Sequence, residues 1–172
     1  MHESIRVEPL LTRFMDTEHY QRLSQLKQLG VTPKVYPCAN HTRFDHSLGV
    51  AHLAERLCRS IKTHPMPKDA ELPTERDILC VKLAALCHDL GHGPYSHLFD
   101  GHLVPRVLRR KHKHEELSVR LLRNLVEEEQ IDLGQYQADG ERLEHETDLR
   151  FIEELILGDD LPGGILSLIH IS

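Results

Sequence analysis

The sequence predicts an all-α fold, and three of its segments support this prediction. In residues 42–61, 78–90 and 113–129, apolar side chains recur at the three- and four-residue steps that define one face of an α-helix. The segment 78–90 is apolar nearly all round, so we expect it to be the buried central helix. The segment 42–61 carries apolar residues on two sides and should also be largely buried.

Shorter elements fill the rest of the chain. Pro9 to Gly30 predicts two short helices, with Gly30 as the C-cap of the second, because glycine readily adopts the left-handed conformation that ends many helices. Thr74 is a suitable N-cap for the central helix, since its hydroxyl can accept from backbone N–H groups there. Val35 and Tyr36 suggest a very short strand. The other expected elements are loops at 62–73 and 132–143, a short helical piece at 97–110 and a last helix at 149–157.

Composition limits the class of protein. The 172 residues suit one domain, and 40% of them are hydrophobic, which is enough for a sizeable core. The net charge of −6 argues against a nucleic-acid partner, and we interpret the basic stretch 106–113 as a solvated helix end or loop. No apolar run is long enough to cross a membrane. The four cysteines form no CxxC pair, so we expect a reducing intracellular compartment, either nucleus or cytoplasm.

Histidine is the unusual component, with 14 residues, and its most informative position is the end of the central helix. There His88 and Asp89 follow the most hydrophobic segment of the chain. Ionisable side chains at such a place are costly unless they are paired or bound to metal. Adjacent helical residues lie about 100° apart, so both can converge on one ion, and imidazole plus carboxylate suits Zn, Mn, Fe or Ni. The alternative is a histidine stabilised by the helix dipole beside an aspartate in a turn.

A second histidine favours the metal interpretation. His46 lies in the segment 42–61, and Arg43, three residues earlier, shares its helical face. Metal ligation would account for this histidine, because a metal takes the neutral imidazole and leaves the Arg43 guanidinium for an anion. The alternative is a hydrogen-bonded histidine of the core.

Further histidines follow the His-Asp pair. These are His92, His97 and His114, the last of which has Glu115 beside it. Such side chains can donate to phosphate oxygens or transfer protons near neutral pH. The alternative is that each is a surface residue near a helix end.

Longer motifs resemble a known family. They are residues 86–100 (LCHDLGHGPYSHLFD), 40–49 (NHTRFDHSLG), 21–23 (QRL) and 27–30 (KQLG). Together they resemble the HD-superfamily metal-dependent phosphohydrolases, and most of all the deoxynucleoside triphosphate triphosphohydrolases of the SAM-and-HD-domain type. The resemblance runs from about residue 5 to residue 158. It implies an HD-domain helical fold with a buried metal site between central helices.

The resemblance also implies a reaction and a role for each matching residue. The reaction would be metal-dependent hydrolysis of deoxynucleoside triphosphates to deoxynucleoside and tripolyphosphate, with one divalent transition metal as cofactor and a homo-oligomeric full-length enzyme. The implied residues are metal ligands at His46, His88 and Asp89, catalytic residues at His92, His114 and Glu115, substrate contacts at Gln28, Leu29, Arg43 and His97, and guanine-nucleotide activator contacts at Asp16 and Gln21. In this scheme Gln28 and Leu29 press on the deoxyribose and exclude a 2′-hydroxyl.

Two departures from the family pattern limit these expectations. The family's fourth metal ligand, an aspartate beyond the last helix, has no match here. Ser24 stands where the activator site has a base-reading arginine, which argues against activation by a guanine nucleotide. We expect residues 1–164 to be a partial HD phosphohydrolase domain with little activity alone. Residues 165–172 look like translated sequencing-adapter sequence, so we expect a non-native tail there.

Two other functions compete with this one. The chain could act as an HD phosphodiesterase or nucleotidase on another phosphate ester, or as a non-catalytic nucleotide-binding regulatory module. The pair Gln28–Leu29 favours the triphosphohydrolase, because a phosphodiesterase has no need of a deoxyribose contact. The three ligand matches, together with His92 and His114, favour catalysis over regulation alone.

Overall fold

Helices make up nearly all the regular structure. The structure is a computed structural model that describes residues 4–64, 71–95, 99–109 and 113–158. Its α-helices are α1 (Pro9–Met15), α2 (Glu18–Gln21), α3 (Arg43–Thr63), α4 (Glu75–Cys87), α5 (Val104–Leu108), α6 (His114–Glu128) and α7 (His145–Leu157), with a π-helical turn at Phe99–Leu103 directly before α5. The strands β1 (Gln137–Ala138) and β2 (Glu141–Arg142) pair antiparallel as a small hairpin. The all-α prediction is therefore confirmed.

The central helix is α4, as predicted. Thr74 caps it in a reciprocal arrangement, because the Thr74 hydroxyl accepts from the Asp77 N–H and the Asp77 carboxylate accepts from the Thr74 N–H. The helix contacts both α3 and α7 and is buried along most of its length. It ends at Cys87, three residues before the predicted limit. Residues 88–92 form a turn instead, with the Leu90 N–H bonded to the Cys87 carbonyl at 3.1 Å.

The helix α3 is buried on one side and not on two. Ala51, Ala54 and Cys58 form the buried stripe, and α3 packs along α4. The second apolar stripe includes Leu53, which is 57% exposed. The prediction that α3 is largely buried on both sides was therefore wrong for the described residues, since this second stripe stays in contact with solvent.

The segment after α2 leaves the α-helical conformation earlier than predicted. Residues Arg22–Gln25 form a 3₁₀ turn, and Lys27 then pairs with Thr42 in an isolated antiparallel bridge. The apolar side chains in positions 20–29 are spaced every three residues, which matches the 3₁₀ period and not the α-helical one. Gly30 has the expected positive φ of 55°, but it lies in a turn and does not cap an α-helix.

Three other predictions of secondary structure need correction. Val35 and Tyr36 do not form a strand; the 3₁₀ turn Thr32–Lys34 precedes them, because the fixed φ of a proline near its start suits a helical turn. The predicted loop 132–143 contains the β1–β2 hairpin. The last helix begins at His145, four residues before its first apolar residue, because acidic residues in its first turn stabilise the positive end of the helix dipole.

The main core joins the N-terminal helices to α4, α6 and α7. Its fully enclosed side chains include Phe14 of α1, Leu83 of α4 and Ile152 of α7. A buried lysine of α4 ties this helix to α3 and to the residue before α1, because Lys82 Nζ donates to Glu8 at 2.6 Å and to Glu55 at 2.5 Å. No described helix combines the length and apolarity needed to span a bilayer. The core places the end of α4 beside the start of α3, where the candidate site lies.

Candidate metal centre

Asp89 is the meeting point of the predicted site residues. Its Oδ1 lies 3.3 Å from His88 Nε2 and 3.5 Å from His92 Nε2. Its Oδ2 lies 3.7 Å from His46 Nε2 and accepts a hydrogen bond from Arg43 Nη1. The first turn of α3 and the end of α4 therefore converge on one carboxylate, which is the arrangement expected from the sequence.

The start of α3 is held in place by backbone contacts. Thr42 and Asp45 form a capping box, and these hydrogen bonds from the Thr42 N–H and hydroxyl hold the pKa of Asp45 below its usual value. The Arg43 N–H donates to the Leu26 carbonyl at 2.8 Å. Because His46 lies one turn further along the same face, these bonds also fix its direction.

Burial and charge act in opposite directions on the Asp89 carboxyl. Burial disfavours its ionised form, but electrostatic attraction to the neighbouring His88, Arg43, His92 and His46 side chains prevails and keeps the pKa of Asp89 below its usual value. Burial lowers the pKa of His46, against the attraction of Asp89, with His88 and Arg43 also lowering it. The site therefore combines an ionised carboxylate with a neutral imidazole, which are the protonation states that bind a metal.

The geometry of His46, His88 and Asp89 fits one metal ion. One ligand atom from each lies within 4.8 Å of the others. Two ligands on one ion at about 2.1 Å stand roughly 3 to 3.5 Å apart. The Asp89 carboxylate lies at similar distances, 3.3 Å from His88 Nε2 and 3.7 Å from His46 Nε2. His88 Nδ1 lies 2.6 Å from the Ala85 carbonyl, which can only accept, so Nδ1 carries the proton and Nε2 is left as the ligand atom. These residues could hold a divalent transition ion.

His92 and His114 form a second group around Asp89, and His92 approaches the same Oδ1 atom as His88. Their rings stack, with centroids 3.9 Å apart and planes inclined by 20°. His92 is 2% exposed, and His114 Nδ1 lies 3.4 Å from the Glu115 carboxylate. Asp89, His92 and His114 also have ligand atoms within 4.8 Å of one another. The buried His92 and the half-buried His114, both predicted as catalytic residues, therefore adjoin the predicted metal ligands and share Asp89 with them.

Close packing at Gly91 brings α6 to this place. A Cβ atom on Gly91 would lie 2.2 Å from the His114 carbonyl oxygen and 2.6 Å from the Ser118 nitrogen. Real Cβ contacts of that length do not occur with backbone atoms, so only glycine allows the start of α6 to lie against the turn 88–92. This contact places His114 over His92.

The other predicted residues lie around the periphery or outside the described residues. The Gln28 N–H donates to the His41 carbonyl at 3.1 Å, which ties the segment containing Leu29 to the approach to α3. Leu29 is 48% exposed. Asp16 ends α1, and Gln21 Nε2 donates to the Met15 carbonyl at 2.8 Å. His97 and the predicted tail 165–172 fall outside the described residues.

Sequence reasoning assigned no role to two side chains that hold the turn 88–92. Arg22 donates to the carbonyls of His92 at 3.0 Å and of Leu90 at 2.5 Å. The Ser118 hydroxyl accepts from the Gly91 N–H at 2.8 Å and donates to the His88 carbonyl at 2.6 Å. The only sequence signals were the position of Arg22 in the QRL motif and that of Ser118 one helical turn after His114.

Comparison with known proteins identifies the family. A sequence profile of the HD domain matches residues 43–158, so the chain belongs to the HD-domain family, as its motifs predicted. Within it, the chain is similar to proteins named deoxynucleoside triphosphate triphosphohydrolase SAMHD1. It is 46% identical over 160 residues to that of Mus musculus, 44% over 162 residues to that of Homo sapiens, and 39% over 163 residues to the homolog of Dictyostelium discoideum.

These alignments cover nearly all of this chain and a minor part of its relatives. They span 92%, 92% and 94% of the chain, but 23%, 24% and 29% of the mouse, human and Dictyostelium proteins. The chain therefore spans about a quarter of the length of these curated relatives. The aligned part of this chain includes His46, His88 and Asp89, since it covers at least 92% of the residues.

The packing at Gly91 makes a prediction about stability. We expect Gly91→Ala to destabilise the fold by about 1–3 kcal/mol, because the added methyl overlaps backbone atoms of α6. Gly49→Ala is the matched control, since it lies within α3 and no other part of the described chain comes within 4 Å of its Cβ position, and it should be neutral or stabilising by up to about 1 kcal/mol. Urea unfolding of both variants measures the difference. Equal stability of the two variants would contradict the close approach of α6.

Proposed function

We propose that the protein carrying this chain hydrolyses deoxynucleoside triphosphates to deoxynucleoside and tripolyphosphate, using one divalent transition metal. The observation that carries the proposal is the convergence of His46, His88 and Asp89 beside the buried Arg43. The similarity to proteins named as deoxynucleoside triphosphate triphosphohydrolases supports the substrate class.

The ligand chemistry supports a metal-assisted hydrolysis. Two imidazoles and a carboxylate suit Fe, Mn, Zn or Ni, and three protein ligands leave positions open for water and substrate. When bound, the metal polarises a phosphate oxygen and lowers the pKa of a bound water. Arg43 lies beside this position, and among the described residues its Nε and Nη2 atoms have no hydrogen-bond partner. Those donors are suited to a phosphate oxygen, which is the role proposed for Arg43.

The remaining residues would divide between proton transfer and selection of the sugar. His92 and His114 would hold and move the proton that the leaving group requires, with Glu115 orienting His114 through Nδ1. Gln28 and Leu29 would press on the deoxyribose, and His97 would contact phosphate. Gln28 and Leu29 directly precede Gly30, which packs near the segment after His92, because a Cβ on Gly30 would lie 3.6 Å from the Tyr95 carbonyl oxygen.

Assembly, activation and compartment follow the resemblance. We expect the full-length protein to be a homo-oligomer. Asp16 and Gln21 would contact a guanine nucleotide activator in that assembly, but Ser24 in place of an arginine argues against strong activation. The four cysteines are free thiols, which suits a reducing compartment such as the nucleus or cytoplasm.

The first test of this proposal is metal content. The purified protein should bind about one divalent transition ion per chain, and Asp89→Ala should lose it, because Asp89 is the carboxylate that both histidines approach. Asp77→Ala removes a carboxylate at the far end of α4 and should retain the metal. Elemental analysis after dialysis measures both. Equal metal in the wild-type protein and Asp89→Ala would remove the basis for the proposed centre.

The second test is product identity. The complete gene product that carries this sequence should release tripolyphosphate from deoxynucleoside triphosphates and spare ribonucleotides. His92→Asn should lower kcat by about 10²- to 10⁴-fold, the usual contribution of a general acid or base, without loss of metal. His64→Asn, at the exposed end of α3, is the control and should leave kcat unchanged. Chromatography showing pyrophosphate and a nucleoside monophosphate would indicate a different HD-domain reaction, and metal binding without turnover would indicate a regulatory module.

A further inference from the structure

Ser118 is a buried hydroxyl that bridges two parts of the candidate site. It has no exposed surface and lies on α6, one turn after His114. Its Oγ accepts from the Gly91 N–H at 2.8 Å and donates to the His88 carbonyl at 2.6 Å. Both of these backbone groups belong to the turn that follows α4, where helix carbonyls lose their partners within the helix. A side chain of α6 therefore completes the hydrogen bonds of the turn that carries His88, Asp89 and His92.

The geometry of α6 links this hydroxyl to His114. Residues four apart lie on the same face of a helix, so Ser118 and His114 both point toward the turn 88–92. The first turn of α6 has no side-chain cap, because Lys113 at the N-cap makes no such bond. The direction of His114 therefore depends on tertiary contacts, and the two bonds of Ser118 fix the rotation of the helix about its axis.

We infer that Ser118 is a positioning residue that holds His114 stacked on His92 for proton transfer. The inference rests on the proposed function, because it assigns that stacked pair to the hydrolysis. Packing against Gly91 sets how closely α6 approaches the turn, and the Ser118 bonds set its register and rotation. A displacement of about 1 Å between a catalytic group and its target is enough to lower a rate up to about 100-fold.

A double-mutant cycle on the complete gene product tests this role. Ser118→Ala should lower kcat for deoxynucleoside triphosphate hydrolysis by roughly tenfold, with KM changed less than about threefold and metal content unchanged. In a His114→Asn background the same substitution should lower kcat by no more than about twofold, because the side chain that Ser118 positions is gone. Single-turnover measurements with labelled substrate detect the slow variants.

A matched control separates positioning from loss of a buried hydroxyl. Ser47 is equally buried, on α3, and its hydroxyl lies beside the hydroxyl of Tyr20. Ser47→Ala should change kcat by less than about twofold in both backgrounds. If Ser118→Ala does not fold, Ser118→Cys keeps a weak donor and acceptor at the same place, and its smaller loss of kcat should likewise disappear with His114→Asn.

The results of the cycle separate positioning from a general structural role. A loss confined to the background that contains His114 supports the positioning role. Equal losses in both backgrounds, no loss in either, or a loss that follows metal content would overturn it. Absence of hydrolysis by the wild-type protein would reject the proposed function before any variant is compared, and the inference would fall with it.

Discussion

The structure depends on the burial of one carboxylate. Asp89 is 3% exposed at the end of the central helix, and an isolated charge at that place would be strongly unfavourable. Arg43 and three histidines surround it and keep it ionised. Removing one partner of a buried ion pair commonly destabilises a protein by about 3–5 kcal/mol. The start of α3, which carries Arg43, must therefore pack against the end of α4, which carries Asp89, for either group to be buried. The position of the start of α3 against the end of α4 follows from this requirement.

The backbone that carries the Asp89 carboxylate is fixed by side chains from other elements of the fold. Helix ends leave carbonyls without partners, and here Arg22 and Ser118 satisfy those of His88, Leu90 and His92. Gly91 allows α6 to approach closely enough for this. His88, Asp89 and His92 consequently stand on a turn whose alternate carbonyls are fixed, which is the rigidity that the proposed metal site and its neighbouring acid–base pair would require.

The sequence predicted the residues of this site better than their packing. His88 and Asp89 were identifiable because ionisable residues at the end of an apolar helix are costly unless they are paired or hold a ligand. His46 was identifiable from its place beside Arg43 in a largely apolar helix, whereas the roles predicted for His92 and His114 came from the family resemblance. Ser118 and Arg22 were not identifiable, because a serine within a helix and an arginine in a turn carry no periodic signal. The second stripe of α3 looked buried from its pattern alone, but hydrophobic periodicity does not say which face finds a partner. The three-residue apolar spacing after Tyr20 matches the 3₁₀ turn Arg22–Gln25, although the same spacing also fits one face of a short α-helix.

The central claim is that one metal ion takes His46, His88 and Asp89, and that His92 and His114 stay outside its coordination sphere. The most direct measurement is a crystal structure of the metal-loaded protein, with the ion located by its anomalous scattering. We expect bonds of about 2.0 to 2.2 Å to Nε2 of both ligand histidines and to the Asp89 carboxylate. An ion bonded to Asp89, His92 and His114 instead would contradict this assignment.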